Sequence, residues 1–230
     1  MQSLHLTSSF PFPFFIISLI RDVRNFIRAA TRSSIHLLAP FLISGHRIVQ
    51  NGNESCTSQR TTIKNRWKKL QRECHAVMVT NEPACSASID QGKSMARVAS
   101  QWIGQESSGG NIEDILECLK RKDISPHIAP TLGVVGGLLG LDEIQVCRLF
   151  AYCMARDLVS SAVRLSIVGP LASIPLLHNI QASAEDGIRA AYPLFENHPD
   201  NPLLAAATSA PVLEAIHPCH EMLEVRLFRT

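Results

Sequence analysis

The fold is decided between Asp142 and Leu165, which read Asp-Glu-Ile-Gln-Val-Cys-Arg-Leu-Phe-Ala-Tyr-Cys-Met-Ala-Arg-Asp-Leu-Val-Ser-Ser-Ala-Val-Arg-Leu. Asp142 followed three residues later by Gln145 resembles a capping box, in which two side chains satisfy backbone N–H groups that a helix start leaves without partners. Cys147, Ala151, Met154, Leu158, Ala162 and Leu165 then recur at helical spacing, so the stretch is a long amphipathic helix. Asp157, Ser161 and Arg164 share its polar edge at i, i+4 and i+7. An arginine buried there has to be paired, because an uncompensated charge is costly, and these three are equally candidates for a clamp between helices and for an interface.

The same reading extends in both directions. Gly169-Pro170 ends this helix and starts another, with Leu177, Ile180, Ala184, Ile188 and Ala191 on one face and Pro175 expected to bend its first turns. A Pro/Asn/Asp loop at Tyr192–Pro202 precedes a last helix over about Thr208–Leu223. Upstream, Ile128–Gly140 is apolar, and Gly133, Gly136 and Gly137 let backbones approach closely, as in a buried helix. No Gly-Lys-Ser/Thr follows these glycines and no strand precedes them, so they are not a phosphate loop.

Asn111 is placed to cap a short helix carrying Ile112, Ile115, Leu116 and Leu119, after a break at Ser107–Gly110. Arg66–Met78 and Ala84–Ile103 read as two more helices, the second with Met95, Val98 and Trp102 on one face. A first helical block is expected from about Leu19 to Val49, broken near Pro40, and the polar stretch Asn51–Asn65 as an exposed flexible loop. Nowhere does a β-branched run alternate with polar residues between turn signals. The fold class is all-α, a single helical bundle with a poorly ordered start.

With 230 residues, 46% hydrophobic and 18% charged, the chain is neither a disordered polymer nor a disulfide-stapled mini-protein. Seven cysteines without a CxxC pair point to reduced thiols and a cytoplasmic setting. The net charge of +2 hides an asymmetry: residues 1–72 carry 11 Lys/Arg against 2 Asp/Glu, leaving 11 against 18 for the remainder. The basic run Arg60, Lys64, Arg66, Lys68, Lys69 and Arg72, with Trp67, supports an alternative function as a helical nucleic-acid-associated protein, although such runs are more often solvated faces.

The apolar stretch Phe10–Ile20 is shorter than the ~20 residues of a bilayer span and is interrupted by two prolines, so no membrane anchor is expected. His217, Cys219 and His220 form a compact cluster of imidazole and thiol ligands. Only His217 and His220 converge at helical spacing, Pro218 breaks the local geometry, and no fourth ligand is evident. Neither a Ser/His/Asp pattern nor HExxH presents itself, so no catalysis is expected.

The residues also carry a resemblance. Arg156-Asp-Leu-Val-Ser-Ser-Ala-Val-Arg-Leu-Ser-Ile-Val-Gly-Pro170 is similar to the signature helix and turn of the urease accessory protein F family, and His220-Glu221 with Arg226-Leu227-Phe228-Arg229-Thr230 resembles its C-terminus, "HE…SRLFRS". Gln91-Gly92 with Arg97 resembles its "QG…R" helix, and Arg32–Phe41 its "SLLLPF" segment. These matches run in order from about residue 15 to 230, one helical domain, with 51–65 as an insertion and 1–14 as an atypical start in place of the family's Gly/Ser/His segment. Pro170, where bacterial members usually carry Gln, resembles the eukaryotic branch.

The resemblance implies an all-α scaffold with no stably bound cofactor. Its partners would be the accessory protein called D or H, the GTPase accessory protein G and apo-urease, with nickel in transit; a homodimer is compatible with it. It implies His220, Glu221, Arg226, Leu227, Phe228 and Arg229 as the partner-binding residues, held in shape by Asp157 and Arg164. Nickel would meet weak, exchangeable ligands, for which His217, Cys219 and His220 are the candidates.

Overall fold

A computed structural model describes residues 12–50, 57–106, 110–120 and 123–222, and within them every regular element is helical. The elements are α1 (Phe12–Gln50), α2 (Thr57–Met78), α3 (Glu82–Glu106), α4 (Gly110–Lys120), α5 (Ile128–Leu138), α6 (Glu143–Arg164), α7 (Pro170–Glu196), α8 (Pro202–Ala205) and α9 (Pro211–Ile216), followed by a 3-10 turn at His217–Met222.

Helix α1 is the axis of the bundle. Its second half buries Leu38, Ala39, Phe41, Leu42 and Ile43 in succession, which places it inside rather than on a surface. The proline expected to break it lies within it, and α1 begins earlier than expected, at Phe12. Pro40 has no N–H to offer the His36 carbonyl, but the N–H of Ala207, brought alongside by α8, donates to that oxygen at 3.3 Å. The gap in the helix ladder is filled from elsewhere in the chain, so no break follows.

Helix α5 is buried from Ala129 to Gly136 and packs chiefly on α1. A Cβ at Gly133 would run into the Leu42 carbonyl and one at Gly45 into that of Pro130, so two glycines permit this crossing.

The Asp142/Gln145 capping box is present, with the Gln145 N–H donating to Asp142 Oδ1 at 2.7 Å and the Asp142 N–H to Gln145 Oε1 at 2.9 Å. The buried stripe of α6 differs in phase from the one expected. Val146, Cys147, Phe150, Ala151, Ala155, Val159 and Ala162 are inside, while Met154 and Leu158 are half-buried and Leu165 is exposed. The reason is that α6 packs against both α1 and α7, which rotates its core face toward the line between them. Helix α6 ends in a Schellman turn: Ser166 takes a left-handed φ of 58°, its N–H donates to the Val163 carbonyl, and the Ile167 N–H reaches the Ala162 carbonyl. Gly169 then caps α7, with Pro170 in its first position.

Four other expectations change. Residues 57–65, read as loop, are the first turns of α2, because Ile63 and Trp67 are core residues that pull this polar stretch onto the bundle. In α3 the face with Val98 and Trp102 is exposed, Trp102 at 74%, and the buried face is Cys85, Ser88, Gly92, Ala96 and Ala99. The last helix is a six-residue α9 continued by the 3-10 turn, with Pro211 at its start and Pro218 within the turn. Helix α7 continues past Tyr192 to Glu196, into the stretch expected to be a loop.

A partly buried polar network ties α1, α6 and α7. Arg47 of α1 donates to both carboxylate oxygens of Glu143 on α6, at 2.7 and 3.0 Å, and Tyr192 of α7 donates to Glu143 Oε2 at 2.9 Å. The Arg47 guanidinium also lies 4.6 Å from the centroid of the Phe195 ring.

Candidate functional site

Two features stand side by side where α1, α2, α3 and α6 meet the C-terminal turn. The first is a mostly apolar groove of about 560 Å³ whose walls include Phe26, Met154, Leu158 and Ile216. Asn81 at the α2–α3 corner donates to Glu214 of α9 at 2.8 Å and so pins the C-terminal elements against the groove.

Several residues singled out in the sequence are found around it. Asp157 and Ser161 line one wall, and His217 and Cys219 another. Asp157 is paired with Arg156 beside it at 2.7 Å, and the Ser161 hydroxyl donates to the Asp157 carbonyl at 3.0 Å, so both bonds stay on α6. Arg164 is exposed in the last turn of that helix, where a cation complements the dipole. Among the described residues, Arg47–Glu143–Tyr192 joins α1, α6 and α7, and Arg148 of α6 pairs with Glu185 of α7 at 2.7 Å. Cys219 is exposed and His217 half-buried. Arg226, Leu227, Phe228 and Arg229, and the side chains of His220 and Glu221, lie outside the described residues.

The second feature was not legible in the sequence. His75, in the last turn of α2, Cys85, in the first turns of α3, and His127, the residue that opens α5, bring a nitrogen, a sulfur and a nitrogen within 4.8 Å of one another. His75 Nδ1 is 3.2 Å from His127 Nε2 and 3.5 Å from Cys85 Sγ. The two rings are tilted by 49°, with centroids 5.4 Å apart.

His127 is fully buried and fixed on three sides. Its N–H donates to Gln71 Oε1 at 2.7 Å, its Nδ1 lies 3.1 Å from Ser88 Oγ, and the next N–H in the chain, that of Ile128, donates to the same hydroxyl at 3.3 Å. Gly92 makes this approach possible, because a Cβ there would overlap the Pro126 carbonyl just before His127. Burial, and then the neighbouring His75, lower the His127 imidazole to about 4, so it is neutral near pH 7. Burial pushes the Cys85 thiol up, with the Glu82 carboxylate adding to the effect. Ser88 also faces the groove, which makes the two features neighbours. No spacing rule joins positions separated by 10 and 52 residues, and only the packing of three helix ends assembles them.

A family model described as UreF matches residues 18–181. The chain belongs to the UreF family. Urease accessory protein F of Oryza sativa subsp. indica is 30% identical over 210 residues, which cover 91% of this chain and 71% of that protein. Urease accessory protein F of Arabidopsis thaliana is 31% identical over 162 residues, 70% of this chain and 63% of its own length. Urease accessory protein UreF of Cereibacter sphaeroides is 28% identical over 155 residues, 63% of this chain and 66% of its own. No solved structure matches the chain.

The UreF match spans the elements described above from α1 into α7. Within it, Gly92 of the Gln91-Gly92 pair is the point of close contact between α3 and the chain leading into α5. Among the described residues, no helix is long and apolar enough to cross a membrane.

Proposed function

We propose that this chain is a urease accessory protein that works in the cytoplasm by holding other proteins rather than by chemistry of its own. In this reading it joins the D or H accessory protein, recruits the GTPase accessory protein G and helps nickel reach apo-urease. The observation that carries the reading is the UreF match over residues 18–181, together with relatives named urease accessory protein F.

A scaffold binds through exposed apolar surface. The corner between α6 and α7 supplies such surface, with Leu165, Leu171 and Ile174 exposed, Leu171 at 85%. His220, Glu221, Arg226, Leu227, Phe228 and Arg229 are the proposed anchors for the D/H partner, since aromatic and arginine side chains dominate such interfaces. They follow directly on the elements that Asn81 pins beside the groove. A nucleic-acid role finds no support: Trp67, the aromatic residue within the basic run, is only 2% exposed and belongs to the core.

Deleting residues 224–230 tests the assignment. The truncated chain is expected to keep its helical circular dichroism and to lose co-purification with the D/H protein. Retained capture would refute the C-terminal anchors. Failure of the full chain to capture any of the D/H protein, the G protein or apo-urease would refute the scaffold reading itself.

A further inference from the structure

The convergence of His75 Nδ1, Cys85 Sγ and His127 Nε2 is placed for an ion. A tetrahedral cation with metal–nitrogen bonds of about 2.05 Å and a metal–sulfur bond of about 2.3 Å separates two ligand nitrogens by about 3.4 Å and a nitrogen from the sulfur by about 3.6 Å. The observed separations are 3.2 Å between His75 Nδ1 and His127 Nε2, and 3.5 Å between His75 Nδ1 and Cys85 Sγ. Two edges of a tetrahedral face are therefore already in place, and the third, from Cys85 Sγ to His127 Nε2, spans no more than 4.8 Å.

Hydrogen bonding alone satisfies this arrangement poorly. A ring nitrogen has one in-plane position, filled by either a proton or a lone pair. His75 Nδ1 therefore cannot make a full hydrogen bond to both of its neighbours at once. A cation at the centre uses all three lone pairs.

The surroundings match those of a ligand set. Metal-bound histidines are commonly oriented by a hydrogen bond at the other ring nitrogen. His127 Nδ1 has that bond, to the hydroxyl of Ser88. His127 and Cys85 are buried, which fixes their positions, while His75 is exposed and gives the ion a way in.

We propose that His75, Cys85 and His127 bind one borderline-soft divalent first-row cation, of the Zn²⁺, Ni²⁺ or Co²⁺ class, with the fourth coordination position open. Imidazole and thiolate select this class over Mg²⁺ or Ca²⁺. On binding, the sulfur–metal bond replaces the sulfur–hydrogen bond of Cys85, and the proton leaves to solvent. Three protein ligands make an exchangeable site rather than a closed structural one. The site is distinct from the His217, Cys219 and His220 cluster. It stands whether or not the chain serves urease, because the probe is the metal alone.

The test is titration of the full-length chain, purified under reducing conditions, with Co²⁺. The expected result is saturation at one equivalent, with the intense visible bands of tetrahedral cobalt and a thiolate-to-cobalt charge-transfer band, both displaced by Zn²⁺ or Ni²⁺. Cys85→Ser, nearly isosteric, should abolish the charge-transfer band. His75→Ala, at an exposed position that folding tolerates, and Ser88→Ala should each weaken binding about tenfold or more. Cys219→Ser combined with His217→Ala should leave the spectrum unchanged. Absence of saturable binding, a charge-transfer band that survives Cys85→Ser, or affinity unchanged in His75→Ala overturns the proposal. Should Cys85→Ser fail to fold, the His75→Ala affinity decides.

Discussion

Glu143 is the residue on which three helices depend. Burial pushes its carboxyl up, but hydrogen bonds from Arg47 and Tyr192 and the Arg47 charge outweigh that and hold it below its ordinary value of 4.5. A group whose folded pKa is depressed contributes stability that is complete above its ordinary value and is lost as pH falls through the folded one. The Arg47–Glu143–Tyr192 tie therefore stabilises the chain in full above about pH 4.5 and fails as pH falls through the lower folded value of Glu143. Glu143→Gln keeps the shape and removes the charge. Urea midpoints should show it about 2 kcal/mol less stable at pH 7, the scale of a hydrogen bond to a charged group. The gap to the wild type should close as pH falls below Glu143's folded value. A constant gap from pH 7 to pH 3 would mean that the carboxylate charge is not what the tie uses.

At the scale of the element, what could be read from the chain was what is local. The cap at Asp142 and Gln145 involves residues three apart, and the Gly169-Pro170 start of α7 is a property of two neighbours, so both were legible. The continuity of α1 through Pro40 was not, because the donor that fills the gap is Ala207. The phase of the α6 stripe was not, because two neighbouring helices share its face. His75, Cys85 and His127 escaped for the same reason: each is an unremarkable residue at a helix end until the ends meet. Helix α2 shows how composition misleads, since its charged and polar positions surround a core face of Ile63, Trp67, Leu70 and Cys74. Two of its basic residues are engaged in ordinary surface pairs, Lys64 with Glu117 at 3.0 Å and Lys69 with Glu73 at 3.6 Å. Trp67→Ala should therefore cost about 3–5 kcal/mol in chemical denaturation. Lys68→Gln and Lys69→Gln together should stay within roughly 1 kcal/mol of the wild type. If the order were reversed, α2 would be a charged binding face and not a core element.

At the scale of the whole molecule, the described residues form two cores of unequal size. The larger joins the second half of α1 with α2, α3, α4 and α5 and parts of α6 and α7. The smaller gathers Ile27 of α1, Ala155, Val159 and Ala162 of α6, Val168 of the turn, and Leu176 and Ile180 of α7. It lies beneath the corner that exposes Leu171 and Ile174. A small core has fewer contacts to break, so the end of the bundle that presents this apolar corner should open before the centre does. Ile180, fully buried in the smaller core, is the position at which to test this. Ile180→Ala should cost about 2–5 kcal/mol by leaving a cavity. Native-state hydrogen exchange should then rise in the second half of α6 and the first half of α7, while α5 and the adjoining half of α1 remain the most protected segments. If exchange instead rises equally in every helix, the two cores unfold as one cooperative unit, and the α6–α7 corner is as rigid as the α1–α5 crossing at its centre.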